Sequence, residues 1–346
     1  MNDQFATAMG RALEQTRAGN PSEATRILQT ALSGDGPKRP RRPLGEVISS
    51  LVKARPKHRG GSVRPDIPDG AIYETGRHES RFGARDYRVF VPTPRAEPPQ
   101  GLVLMLHGCT QDADDFATGT RMNLHAEREN LVVVYPEQTR QANQMGCWNW
   151  FRPEDQARGQ GEPALLADLA GTLAAQHGVP QGRTYVAGLS AGAAMAAILG
   201  GTHPEVFAAV GVHSGLAPGS ASDLPSALAA MRGGRGGTRR ATAPVRSIVF
   251  HGTADATVAP GNADAVIAAS LGGETTVEIE SQVPGATVAL HRDAAGRTLA
   301  EDWRLSGIGH AWSGGSHAGS YTHPEGPDAS AEMVRFFLAV SAETTA

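Results

Sequence analysis

The chain has 346 residues, 40% of them hydrophobic, 5% aromatic and 19% charged, and its net charge is −3. That length buries a large core and suits one α/β domain with an extra segment, while the composition is that of an ordinary globular protein. No apolar run reaches the length of a membrane span, and the acidic balance gives no reason to expect a nucleic-acid partner.

The charge is unevenly spread. Residues 38–64 carry nine Lys or Arg against the single acid Glu46, a net +8, and residues 1–37 carry −1, which leaves −10 on residues 65–346. An acidic body on a basic tether reads as a solvated linker, with contact to an anionic surface as its alternative. The N-terminus, Met1-Asn2-Asp3-Gln4-Phe5, has neither a basic nor a hydrophobic leader region, so the expected compartment is cytoplasmic by default.

In chain order, residues 3–33 read as two short helices. Phe5, Met9, Ala12 and Leu13 fall at helical spacing, and Ala24, Ile27, Leu28, Ala31 and Leu32 repeat it. Asn20-Pro21-Ser22-Glu23 between them is a helix-start signal. Residues 1–33 are therefore expected to be a helical segment, 34–65 a basic, Gly/Pro-rich linker, and 66–346 the catalytic domain. That domain opens with β-rich runs at 71–75 and 87–91. Apolar strands at 102–106, 131–135, 184–187, 208–212 and 245–250 then alternate with helices at 123–129, 165–176, 191–199 and 263–269. Strand-like runs at 275–280 and 287–291 follow, 301–305 completes the sheet, and 331–340 is a closing helix. Continuous apolar strands joined by crossover helices indicate an α/β fold: a mostly parallel sheet with helices on both faces.

The chemistry centres on Gly188-Leu189-Ser190-Ala191-Gly192. G-x-S-x-G between a strand and a helix of small residues is the nucleophile elbow of the α/β-hydrolase fold, a turn so tight that its flanking positions must be glycine. Serine needs a histidine as base, and that histidine needs a carboxylate to hold its tautomer; in this fold the order is Ser, then acid, then His. Asp255 follows the strand at 245–250 and fits the acid better than Asp264, Asp293 or Asp302. His310, between Gly309 and Ala311 after the last strand, fits the base, with His317 and His323 as competitors. His213 and His251 read as structural or wall residues. The strand at 102–106 runs into His107-Gly108-Cys109-Thr110-Gln111, which suits an oxyanion loop whose amides are those of Cys109 and Ala191. Each such donor stabilises a transition state by about 3 kcal/mol. His107 reads as a brace for this loop.

Cys109 and Cys147 are the only cysteines. No Cys/His spacing accompanies them that would hold a metal. A bridge would close a loop of 38 positions and be worth about 4 kcal/mol, but it would also require an oxidising compartment, against the missing leader.

These motifs, together with Cys147-Trp148-Asn149-Trp150 and Gly309-His310-Ala311-Trp312-Ser313-Gly314-Gly315, occur in an order that resembles the poly(3-hydroxybutyrate) depolymerase family of esterases. The resemblance implies cleavage of short-chain polyhydroxyalkanoate esters by a triad of Ser190, Asp255 and His310, a Cys109–Cys147 disulfide, and no cofactor or metal. Feruloyl and acetylxylan esterases are relatives, so the implied substrate is a polyester or a small ester. The sequence departs from the secreted depolymerases in lacking a leader and an appended polymer-binding domain, which leaves extracellular action as the alternative and makes soluble oligomers or an internal store plausible substrates. Residues 1–64 read as packing element or linker, with contact to a polymer granule as the other reading. Trp148, Trp150 and Trp312, with His107, are expected to wall the substrate site, with core packing as the alternative for at least one of the tryptophans, whereas Trp303 is expected in the core. A serine peptidase would use the same triad, but nothing marks a peptide-binding element, and a non-catalytic binding protein would not need all three positions filled.

Overall fold

A computed structural model describes residues 64–234, 237–239, 243–272 and 277–345. All of them belong to the unit Lys57–Ala346. The helical segment expected over 1–33 and nearly all of the basic linker lie outside the described residues.

A hairpin opens the domain, β1 (Ile72–Ser80) against β2 (Gly83–Val91). β3 (Gly101–Leu106) follows, then α1 (Ala113–Thr120), α2 (Met122–Arg128) and β4 (Leu131–Pro136). A short 3-10 turn (Pro153–Gln156) leads to α3 (Gly161–Gln176), β5 (Thr184–Leu189), α4 (Ala191–Thr202) and β6 (Ala209–His213). Next come α5 (Leu224–Met231), β7 (Ser247–Gly252), α6 (Asn262–Ser270), β8 (Val277–Val283), β9 (Ala286–Arg292) and β10 (Thr298–Leu305). The two-residue strands β11 (Trp312–Ser313) and β12 (Thr322–His323) precede α7 (Ala329–Thr345).

Ten strands form one sheet in the order β1-β2-β4-β3-β5-β6-β7-β10-β9-β8. From β4 to β10 every neighbouring pair is parallel. Crossover helices cover both faces: α3, α4 and α6 pack on one side and α1, α2 and α7 on the other. That is why β3, β4, β5 and β7 are buried along their whole length and read as unbroken apolar runs. The fold is the α/β-hydrolase fold.

Two features differ from expectation. β10 does not finish the sheet: it sits between β7 and β9, and β8 is the edge strand. Helices α1 and α5 were not anticipated. α1 is only eight residues long and includes Thr118, Gly119 and Thr120, weak helix formers; its start is marked by Asp112, whose side chain accepts from the Asp115 amide at 2.8 Å, and by Asp114 and Asp115 in the first turn. α5 begins with a capping box between Asp223 and Ser226.

Candidate active site

β5 delivers Ser190 directly onto the first turn of α4. Its backbone has φ 57° and ψ −117°, a conformation that costs about 1–3 kcal/mol and persists only where the surroundings enforce it. The enforcement is visible. A Cβ on Gly192 would lie 2.1 Å from the Leu106 carbonyl oxygen, and one on Gly188 would lie 2.5 Å from the Gly192 carbonyl carbon, so β5, α4 and the end of β3 close on each other with no room for a side chain. The Ser190 amide donates to the His213 carbonyl at 2.9 Å, and the Ser190 carbonyl accepts from Ala194 at 3.0 Å to start the helix. The side chain is half-buried, and among the described residues its hydroxyl makes no hydrogen bond.

Asp255 and His310 come from the ends of two other parallel strands, β7 and β10. Their loops are fastened together: Thr253 donates to the Leu305 carbonyl at 2.9 Å, Ala254 to Ile308 at 3.0 Å, and Gly307 to the Thr253 hydroxyl at 2.8 Å. The Asp255 side chain is wholly buried. Its Oδ1 accepts from the amides of Thr257 and Val258, each at 2.9 Å, and its Oδ2 lies 2.8 Å from His310 Nδ1. A carboxylate only accepts, so His310 Nδ1 carries a hydrogen, and in the neutral form of the ring the lone pair lies on Nε2. His251 Nε2 is 3.5 Å from the same Oδ2 but donates to the Val258 carbonyl at 2.9 Å. Burial alone would raise the Asp255 carboxyl; the imidazoles of His251 and His310, the charge of His310 and the Val258 amide together hold it well below the usual range. Of the rivals, Asp264 and Asp302 pair with Arg304 and Asp293 pairs with Arg297. His323 lies in β12, and neither it nor His317 makes a described contact with this carboxylate.

The loop after β3 packs against the elbow. His107 is buried, and burial lowers its pKa, so it is a neutral imidazole. Its Nε2 accepts from the Gln138 amide at 3.1 Å, and its Nδ1 donates to the Gly108 carbonyl at 2.8 Å. Thr110, at φ 69°, donates its amide to Met145 at 3.1 Å. A disulfide joins Cys109 to Cys147. Among the described residues the amides of Cys109 and Ala191 make no hydrogen bond. Behind the disulfide, buried Glu162 accepts from the Asn149 amide (2.8 Å), Asn149 Nδ2 (2.9 Å), Arg85 Nη2 (3.3 Å) and Gln138 Nε2. Asp155 accepts from the Glu162 amide at 2.7 Å; its burial, with the Glu162 charge nearby, pushes its carboxyl up to about 6. Among the described residues there is no cluster of three or more His, Cys, Asp or Glu able to hold a metal ion.

The model of the esterase family "Esterase PHB depolymerase" matches residues 85–282. The chain belongs to that family. It is 32% identical over 250 residues to poly(3-hydroxyalkanoate) depolymerase C of Paucimonas lemoignei, covering 67% of this chain and 60% of that protein. It is 27% identical over 231 residues to acetylxylan esterase A of Talaromyces purpureogenus, covering 59% of this chain and 57% of that one. The chain therefore spans about three fifths of the length of these curated relatives. An acetyl xylan esterase from Aspergillus awamori shares the fold, with a TM-score of 0.59 at 19% identity over 77% of this chain and 98% of that one.

One expectation for this family member is corrected by burial. Trp148, Trp150, Trp312 and His107 do not wall a site; they are 0%, 5%, 1% and 1% exposed. Trp148 Nε1 donates to the His107 carbonyl at 3.1 Å beneath the Cys109 loop. Trp312 Nε1 donates to Ser330 at 3.1 Å, and its ring packs edge-on against Phe116. Both indoles fasten loops from below. Trp303, expected in the core, is there. Sequence reading missed Tyr321, which is part-exposed at φ 53° with its hydroxyl 3.2 Å from that of Thr110. Neither residue is glycine, so nothing in the sequence signals their left-handed backbone. Glu162 was missed as well, although an acid in the first turn of an Ala- and Leu-rich helix, just after Gly161, was a signal that could have found it.

Proposed function

We propose that the chain is a serine ester hydrolase that cleaves short-chain poly(3-hydroxyalkanoate) or its oligomers. The observation that carries the chemistry is the Asp255–His310 pair, set after two strands of the same parallel sheet whose β5 ends in a serine held in the elbow conformation. Membership of the family and the likeness to a poly(3-hydroxyalkanoate) depolymerase support the substrate class.

In this reading His310 Nε2 takes the Ser190 proton as Oγ attacks the ester carbonyl. Asp255 holds the imidazole in the tautomer with hydrogen on Nδ1 and stabilises the imidazolium that forms. The amides of Cys109 and Ala191, supported by the N-terminus of α4, receive the oxyanion. His310 then protonates the departing alcohol and an acyl-enzyme remains. Water, deprotonated by the same imidazole, releases the acid and restores Ser190. No step calls for a cofactor or metal. No helix among the described residues is long and apolar enough to cross a membrane. The disulfide supports an oxidising compartment over the cytoplasmic default.

A second reading, an acetylxylan- or feruloyl-type esterase, rests on the likeness to acetylxylan esterase A. The test incubates the full chain and its Ser190→Ala variant with 3-hydroxybutyrate trimer, acetylated xylan and a methyl ferulate. Release of 3-hydroxybutyrate by the unaltered chain alone is expected. Acetate or ferulate with intact trimer would replace the substrate while keeping the chemistry; an active Ser190→Ala variant would overturn the chemistry.

A further inference from the structure

His213 is wholly buried at the end of β6, and the proposed reaction gives it no part. Its contacts nevertheless reach both sides of that reaction. Its carbonyl receives the amide of Ser190 at 2.9 Å. Its imidazole Nε2 receives the amide of Ser313 at 3.1 Å, three residues after His310 on the same loop. An amide N–H can only donate, so Nε2 is the bare nitrogen, and Nδ1 carries the hydrogen and donates to Ser214 Oγ at 3.2 Å. The ring cannot turn away from this duty. It stacks with Phe250, centroids 5.8 Å apart at 12°, and with Trp312, 5.1 Å apart at 23°. Trp312 is itself tied to Ser330, which donates to the Thr120 carbonyl at 2.7 Å, so the support continues into α7 and the end of α1.

We propose that His213 is a positioning residue: a neutral imidazole that ties the strand end holding the Ser190 amide to the loop carrying His310, and so sets the approach of base to nucleophile. The inference rests on the triad reading above. Protonating Nε2 would turn its N–H against that of Ser313. Burial, reinforced by the charges of His251 and His310, prevents this by pushing the His213 pKa down to about 3. A ring that merely filled the core would need no bare nitrogen at Nε2, and phenylalanine would serve as well.

Three substitutions separate these roles. His213→Phe keeps the stack and removes the acceptor; His213→Asn keeps polarity but is too short to reach Ser313; His213→Gln places an amide oxygen near the old Nε2. Each is made alone and with His310→Ala, and hydrolysis of p-nitrophenyl butyrate is measured beside Ser190→Ala. Phe and Asn are expected to lower kcat about 100-fold with KM within about threefold, as an ångström-scale misplacement of the base would. Gln is expected to recover kcat to within about tenfold of the unaltered chain. In the His310→Ala background, where only the residual rate survives, Phe should change that rate by less than about twofold. The inference is overturned if folded His213→Phe keeps kcat within about threefold, or loses the same factor without His310. Should Phe fail to fold, Asn matching Gln overturns it just as well. An active Ser190→Ala chain would remove the triad reading itself, whereas Ser190-dependent activity indifferent to His213 would remove this inference alone.

Discussion

The two loops proposed to serve Ser190 are held by different means. The loop at 107–111 is tied down covalently through Cys109–Cys147 and backed by the four donors that converge on Glu162. The loop at 307–313 has no covalent tie; it is held by hydrogen bonds to Thr253, Ala254, Asp255 and His213 and by the packing of Trp312. The difference follows from what each is proposed to supply. Main-chain amides act by their fixed place, so rigidity alone suffices. An imidazole must exchange a proton twice per turnover, and its fastening has to set a tautomer as well as a position.

That contrast can be broken from either side. The largest effect is expected from Asp255→Asn, which leaves the loop in place but inverts the tautomer preference of His310: kcat should fall by about 10⁴ with the fold intact, read by steady-state kinetics beside circular dichroism. Next, Cys109→Ser with Cys147→Ser should cost about 4 kcal/mol in denaturant unfolding, with kcat falling by less than the roughly 100-fold loss of a whole donor. Equal losses of kcat in the two experiments would erase the distinction. Glu162→Gln keeps the shape and removes the charge that gathers Arg85, Gln138 and Asn149, and should cost about 2 kcal/mol by the same unfolding measurement.

The smallest effect is a pH dependence. Asp155 has its carboxyl raised from 3.8 to about 6, so between those values the folded chain keeps a proton that the unfolded chain has released. Its contribution to stability is fully present below about 3.8 and is lost as the pH rises through about 6. Asp155→Asn can still accept from the Glu162 amide and cannot ionise. Its Tm should exceed that of the unaltered chain by a few degrees at pH 8, and the gap should close by pH 4. Asp255 has the opposite sign: its pKa is lowered, so its contribution holds above the ordinary carboxylate range and fades only in stronger acid.

Chain order and glycine spacing sufficed to propose the elbow, Asp255 and His310, because those features are local. A tight turn needs Gly188 and Gly192, and an acid or base at a strand end needs a loop after an apolar run. What stayed hidden depends on contacts across the sheet. Trp148 and Trp312 stand in the right motifs, but sequence position does not tell whether an indole points up into a cleft or down into the core. His213 looks like any strand-end histidine until its Nε2 is seen to face Ser313, 100 positions away. Helix α1 hid for a different reason: its eight residues span barely two turns and include Thr118, Gly119 and Thr120, which favour a helix little on their own.

Cys109 shows a division of labour within one residue. Its proposed share in the reaction is an amide hydrogen, which every residue but proline brings; its fastening is a sulfur, which few can replace. The two jobs can therefore be altered separately. A version of this chain suited to reducing media could exchange the sulfur bridge for an apolar or charged contact between positions 109 and 147 and keep the same donor. Proline is the one residue that such a redesign could not place at 109.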